Sequence, residues 1–143
     1  MPSADPFDLA SFLPYLLNRA AEESSVEFAR IYKDNYGLLR TEWRVLFHLG
    51  QHGEMTATDI GQKSRIHKTK ISRAVAALQK RRYLRKTTSS QDRRREFLKL
   101  TDQGIKVFAS LSEEAQSYNQ RLLARFSPKE QVALLDSLKK LGG

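Results

Sequence analysis

The chain is 143 residues long, with 25 Lys and Arg against 16 Asp and Glu, a formal net charge of +9 and no cysteine. That length can bury one hydrophobic core, and 40% hydrophobic with 29% charged residues is a globular composition, not a disordered one. The missing cysteines exclude disulfides, thiolate nucleophiles, cysteine-ligated zinc and thiol redox sensing together.

No apolar run approaches the roughly 20 residues of a membrane span. The first eight residues carry acids and no base, unlike a secretory signal, so a cytoplasmic location is expected. Residues 7 to about 33 read as a helix. Leu9, Phe12, Leu13, Leu16, Leu17 and Ala20 fall at helical spacing, Phe28, Ile31 and Tyr32 continue the stripe, and Asn35-Tyr36-Gly37 ends it. Thr41 is the expected cap of a second helix that buries Trp43, Leu46, Phe47 and Leu49 and ends between Gly50 and Gly53. Thr56-Ala57-Thr58-Asp59 has the form of a capping box, with Asp in place of Glu or Gln, and opens a short helix through Ile60 to about Ser64.

Residues 67–82 read as another helix, with Ile71, Ala74, Val75 and Leu78 as its apolar stripe. At roughly 100° per residue the opposite face is centred on Thr69, Arg73, Ala76 and Lys80 and flanked by Lys70 and Ser72. That face is cationic with a small residue at its centre, so it can approach a surface closely while presenting donors. Residues 83–88 and 96–100 alternate as strands about the turn residues Ser89-Ser90-Gln91-Asp92. They predict a two-stranded hairpin whose tip carries Asp92, Arg93, Arg94 and Arg95. Thr101 is the expected cap of a long helix to about residue 126, with Ile105, Phe108, Leu111, Ala115, Tyr118, Leu122 and Phe126 stepping by three and four. Ser127-Pro128-Lys129-Glu130 opens the last helix, which carries Val132, Leu134, Leu135, Leu138 and Leu141.

This order gives a mainly α fold. Residues 37–100 form a winged helix-turn-helix with a two-stranded β-hairpin wing, and residues 1–36 and 101–143 supply a helical region from both termini. Charge marks the same segment independently. Residues 63–99 hold 14 cations against only Asp92 and Glu96, a local charge of +12, and the other 106 residues carry −3. Solvent alone is a poor explanation for such a block, because like charges at this density repel unless something negative lies across them. In this motif the second helix enters the major groove of DNA. Arg73, Thr69, Ser72 and Lys70 are therefore the base-reading candidates, and Lys63, Arg65, Lys68 and Lys80 the phosphate-holding ones. His67, at the start of the helix, serves either as a phosphate contact or as a weak cap.

Five ordered segments resemble the MarR (multiple antibiotic resistance regulator) family. They are Thr41-Glu42-Trp43-Arg44-Val45-Leu46, Thr56 through Gly61, Ile71-Ser72-Arg73 with Leu78, Asp92-Arg93-Arg94, and Leu100-Thr101-Asp102-Gln103-Gly104. The resemblance implies a homodimeric prokaryotic transcription regulator, usually a repressor, that dimerises through its first helix and last two helices. It implies a pseudo-palindromic double-stranded DNA operator and a small aromatic or anionic effector bound between the two regions. It also implies that Arg94 reaches the minor groove, oriented by an ion pair from Asp92, with Arg93 and Arg95 on the backbone. One departure stands out: the family usually has Gly just after the recognition helix, where this chain has Lys80-Arg81-Arg82-Tyr83. Arg82 must then adopt a left-handed conformation, or the turn differs.

No cofactor and no metal are expected. His48 and His52 have a ligand-like spacing, but no carboxylate pattern completes a site. Trp43 reads as core, and the Arg44/His48 pair as meeting either an anionic effector or the long helices, which leaves the effector residues unknown. An enzyme acting on nucleic acid is disfavoured for want of paired carboxylates or a phosphate-cradling Gly loop in the basic block. A winged helix used for protein or RNA contact explains the fold but not a cationic Arg73 face paired with a basic wing tip.

Overall fold

The computed structural model describes residues 6–88, 91–92 and 94–143. The chain opens with a 3-10 turn, Leu9–Ser11, capped by Asp8, whose carboxylate accepts from the Ala10 N–H (3.1 Å) and the Ser11 hydroxyl (2.8 Å). Helix α1 is Leu13–Arg30, and a π-helical turn, Ile31–Asn35, closes it. The single helix expected from residue 7 is broken at Phe12. Pro14 has no N–H to offer the preceding turn and its ring crowds the carbonyl four residues back, so it is confined to the first turn of α1.

Helix α2 is Arg40–His52, two residues earlier than a Thr41 cap allows. Leu39 holds the cap position and offers no side-chain acceptor. The buried Glu42 carboxylate instead accepts from the Leu39 N–H at 3.4 Å, while Leu38, fully buried, anchors the entering chain. Strand β1, Met55–Thr56, leads into α3, Ala57–Ser64, then α4, Lys68–Lys80. Strands β2, Leu84–Thr88, and β3, Glu96–Leu100, precede α5, Asp102–Leu123, and α6, Pro128–Gly142.

The wing is not a free two-stranded hairpin. The sheet has three antiparallel strands in the order β1-β3-β2, with Met55 opposite Leu98 and Leu84 opposite Leu100. A two-residue strand is too short to show a period of two in sequence, yet it gives the hairpin the third strand that isolated hairpins need. Leu84, Leu98 and Leu100 bury one face of the sheet in a core shared with Leu38, Val45, Leu46, Leu49, Ile60, Ile71, Leu78 and Leu111.

Thr101 joins wing to α5. Its hydroxyl accepts from the Gly104 N–H (3.0 Å) and donates to the Arg82 carbonyl (2.6 Å). Gly104 is dictated by this crossing, because a Cβ there would lie 1.9 Å from the Tyr83 carbonyl oxygen. At the start of α6, Ser127 and Glu130 form a reciprocal capping box (3.0 and 3.2 Å), and the Ser127 N–H holds the Glu130 carboxyl below its ordinary range. Helix α6 buries no residue, and α5 ends three residues short of the expected Phe126.

Candidate nucleic-acid interface

The helix-turn-helix is fixed at each joint by side chains the sequence already singles out. Thr56 Oγ1 accepts from the Asp59 N–H (3.1 Å) and Asp59 returns an acceptor to the Thr56 N–H (3.3 Å), so α3 starts where the capping box sets it. At its end the Ser64 hydroxyl donates to the Ile60 carbonyl (2.6 Å) and accepts from the Ile66 N–H (3.2 Å). Arg65 turns the chain in the left-handed region, at φ 57°. His67 caps α4, its Nδ1 accepting from the Thr69 N–H at 3.2 Å, and its exposed ring remains free to donate from Nε2. Cap and phosphate contact are thus compatible roles for one imidazole.

Helix α4 is locked in rotation by burial of Ile71, Ala74, Val75 and Leu78. Each large apolar side chain so buried is worth about 1.5–3 kcal/mol, so the helix cannot roll without exposing the stripe. The opposite face is therefore fixed outward. Thr69, Lys70, Ser72, Arg73, Ala76 and Lys80 are exposed on it, with Lys68, Lys63 and Arg65 exposed at its N-terminal flank. Among the described residues, none of the side chains of Lys63, Arg65, Lys68, Lys70, Arg73 or Lys80 has an ion-pair partner. Within the wing, Arg85 stands directly opposite Lys99 and both are exposed, a like-charge pair that a polyanion would relieve.

The wing tip departs from expectation in one respect. Asp92 does orient the backbone, but its carboxylate accepts from the Arg94 N–H (3.0 Å), and its carbonyl accepts from the Arg95 N–H (3.2 Å). Among the described residues no ion pair joins the Asp92 and Arg94 side chains, so the Arg94 guanidinium stays unpaired and exposed. A carboxylate two residues before an N–H closes an Asx turn locally, which a long Arg side chain cannot match without losing rotamer freedom. Arg95 lies over the Phe97 ring, 5.3 Å from its centroid. Arg93 lies outside the described residues. The turn after α4 takes the strained alternative: Arg82 sits at φ 64°, and the Arg82 and Tyr83 N–H groups donate to the Gln79 and Leu78 carbonyls, both at 2.9 Å.

A cavity of about 440 Å³ lies between α1, α2 and α5. Phe28, Tyr32, Trp43 and Tyr118 supply its aromatic walls, and Ser24, Arg40, Arg44 and Asn119 its polar ones. Trp43 packs edge-on against Phe28 (5.2 Å) and Phe47 (5.4 Å), as a core residue should, but it also lines this space, and its buried indole N–H has no partner among the described residues. Sequence periodicity cannot see a cavity formed by three distant helices. Among the described residues Arg44 makes no ion pair with the long helices: its Nη2 donates to the Ser64 carbonyl at 3.1 Å, while burial and then Arg40 push its pKa down. His48 is absent from the cavity walls. Its ring stacks on His52 (5.9 Å), and among the described residues no cluster of three metal-ligating side chains forms.

Residues 36–95 match the model described as the MarR family. A curated relative, the uncharacterized HTH-type transcriptional regulator YwaE of Bacillus subtilis, is 27% identical over 125 residues, covering 87% of this chain and 73% of its own. Two solved structures share the fold. The PcaV transcriptional regulator of Streptomyces coelicolor, in complex with its natural ligand, superposes with a TM-score of 0.81 at 23% identity, covering 97% of each chain. The S. aureus MepR–DNA complex gives 0.80 at 21% identity, covering 91% of this chain and 96% of that one.

Proposed function

We propose that this chain is a regulator of the MarR family, whose model matches residues 36–95: a sequence-specific double-stranded DNA-binding transcription regulator that acts as a ligand-responsive repressor. The observation that carries this reading is the rotationally fixed cationic face of α4, without ion-pair partners among the described residues, beside the exposed Arg94 side chain of the wing tip. The buried stripe leaves that face no inward alternative. Helix α4 enters the major groove with Arg73, Thr69, Ser72 and Lys70 at base edges, while Lys63, Arg65, His67, Lys68 and Lys80 hold phosphates. Arg94 enters the adjacent minor groove, where a narrow groove concentrates negative potential. Arg93 and Arg95 take the neighbouring backbone.

Residues 37–100 form the DNA-binding unit, and residues 1–36 and 101–143 the dimerisation region of a homodimer. Support comes from apolar side chains that one protomer leaves uncovered: Phe7 is 72% exposed, Val132 63% and Leu141 55%. The cavity beside Trp43 takes the effector, a small aromatic anion that stacks on the aromatic walls and offers a carboxylate to Arg40 or Arg44. The regulator works in the cytoplasm without catalysis. Among the described residues no helix is long and apolar enough to cross a membrane.

Selection of bound sites from random duplexes, repeated at two salt concentrations, tests the reading. A pseudo-palindrome with half-site centres about 10 base pairs apart is expected, with a steep salt slope. Binding without sequence preference, or equal competition by structured RNA, would overturn it.

A further inference from the structure

Among the described Lys and Arg residues of the basic block, Arg81 alone donates its side chain to backbone carbonyls. It caps the C-terminal end of α4, and its Nη1 and Nη2 donate to the Tyr36 carbonyl (3.0 Å) and the Gly37 carbonyl (2.5 Å). These carbonyls lie in the junction between α1 and α2. The junction is built to receive the fork. Gly37 sits at φ 64°, and a Cβ there would stand 3.1 and 3.3 Å from the same two guanidinium nitrogens. The Tyr36 side chain leaves in another direction, its hydroxyl 2.5 Å from Ser110 Oγ on α5. Just upstream, the π-helical turn Ile31–Asn35 gives way to Leu38, whose N–H donates to the Tyr32 carbonyl (2.9 Å) and whose side chain is fully buried. One short segment is thus tied to α4 through Arg81, to α5 through Tyr36, and to the cavity wall through Tyr32.

We propose that Arg81 is a positioning residue: its fork pins the C-terminal end of the recognition helix to the α1–α2 junction and so sets the angle of α4 against the terminal helices. In a dimer that angle fixes the separation of the two recognition helices, and with it the half-site spacing the protein accepts. Two adjacent carbonyls require the planar, divergent donors of Arg; Lys keeps the charge but not the paired geometry. That difference separates positioning from a phosphate contact.

The absence of cysteine allows a direct test. Nitroxide labels at Ala76→Cys on α4 and Gln116→Cys on α5, both exposed, report the helix-to-helix distance by pulsed electron spin resonance. Labelled chain is diluted with unlabelled chain so that only distances within one subunit count. A narrow distribution is expected with Arg81 in place, broadened in both Arg81→Gln and Arg81→Lys; unchanged widths in both variants overturn the proposal. A second arm rests on the DNA-binding reading and uses the duplex selected by the unmodified protein. Both variants should keep its salt slope but lose preference over duplexes with one base pair added between half-sites. A slope lowered by about 1 in Arg81→Gln and restored in Arg81→Lys identifies a phosphate contact and overturns the proposal. If no duplex binds at all, the DNA-binding reading fails, and the label distances alone decide the role of Arg81.

Discussion

Arg73 and Lys68 both project from α4 into solvent, yet their chemistry differs. A guanidinium can bond bidentately to guanine, whereas an ammonium at the first turn of the helix is a point charge suited to phosphate. Arg73→Ala should lose about 1–3 kcal/mol of discrimination between operator and random duplex. Lys68→Ala should weaken both alike and lower the salt slope by about 1. Titrations on the two duplexes at several salt concentrations check this, and equal losses for both variants would end the division of roles. Arg82 poses a stability question at the same scale. A non-glycine residue at φ 64° carries left-handed strain of about 1–2 kcal/mol, part of which glycine would return as unfolded-state entropy. Arg82→Gly should therefore raise the melting temperature by about 1–4 °C, read by calorimetry. No rise would mean that the Tyr83 and Arg82 N–H bonds already fix the turn without cost.

Between elements, His48 on α2 sits near His52 and Arg44 of its own helix and Lys63 of α3. Burial first, then His52, Arg44 and Lys63, push the pKa of His48 below its ordinary 6.5. A base whose pKa is lower in the folded chain binds fewer protons folded than unfolded. Its contribution to stability is then full above pH 6.5 and lost as pH falls through the folded value. Melting temperature should drop between pH 7.5 and pH 5.5, and His48→Gln should drop less over the same interval. Parallel curves for the two chains would place the acid sensitivity elsewhere. The cavity between α1, α2 and α5 is tested at this scale too. Trp43, the sole tryptophan, lines it, so titration with benzoate should change its fluorescence, and Arg40→Ala with Arg44→Ala should abolish the change. An unaltered response in that double variant would remove the anion from the effector's description.

For the whole molecule, the two termini bring uncovered apolar side chains to helices that bury little of them. Leu135 and Leu138 are 40% and 42% exposed on a helix with no buried residue. A carboxylate at a dry interface would cost several kcal/mol, while on a solvated face it costs almost nothing. Leu135→Asp with Leu138→Asp should leave the winged helix folded but shift sedimentation from dimer to monomer, and operator affinity should fall steeply as the two half-sites uncouple. A double variant that sediments and binds like the unmodified chain would assign these leucines no part in assembly.

Periodicity determined α4 almost completely. Its buried stripe and its exposed face were legible from residue 67 onward, because a helix repeats its geometry every few residues and the stripe is local. The capping boxes at Thr56 and Ser127, the Thr101 cap and the hairpin strands were legible for the same reason. Charge, counted along the chain, marks residues 63–99 as the basic segment without any fold. What periodicity could not supply was everything made by distant parts meeting. Strand β1 was invisible because two residues have no pattern until β3 lies beside them. The break at Phe12 leaves no mark on the periodicity, because apolar spacing runs straight through Pro14. Asp92 serves the Arg94 backbone and not its side chain, a choice of geometry that residue identity leaves open. Gly104 and Gly37 carry their meaning only where Tyr83 and Arg81 come within van der Waals contact. The cavity and the Arg81 fork were decided by tertiary structure alone, because each needs three elements that the sequence holds far apart and only the shared core brings together.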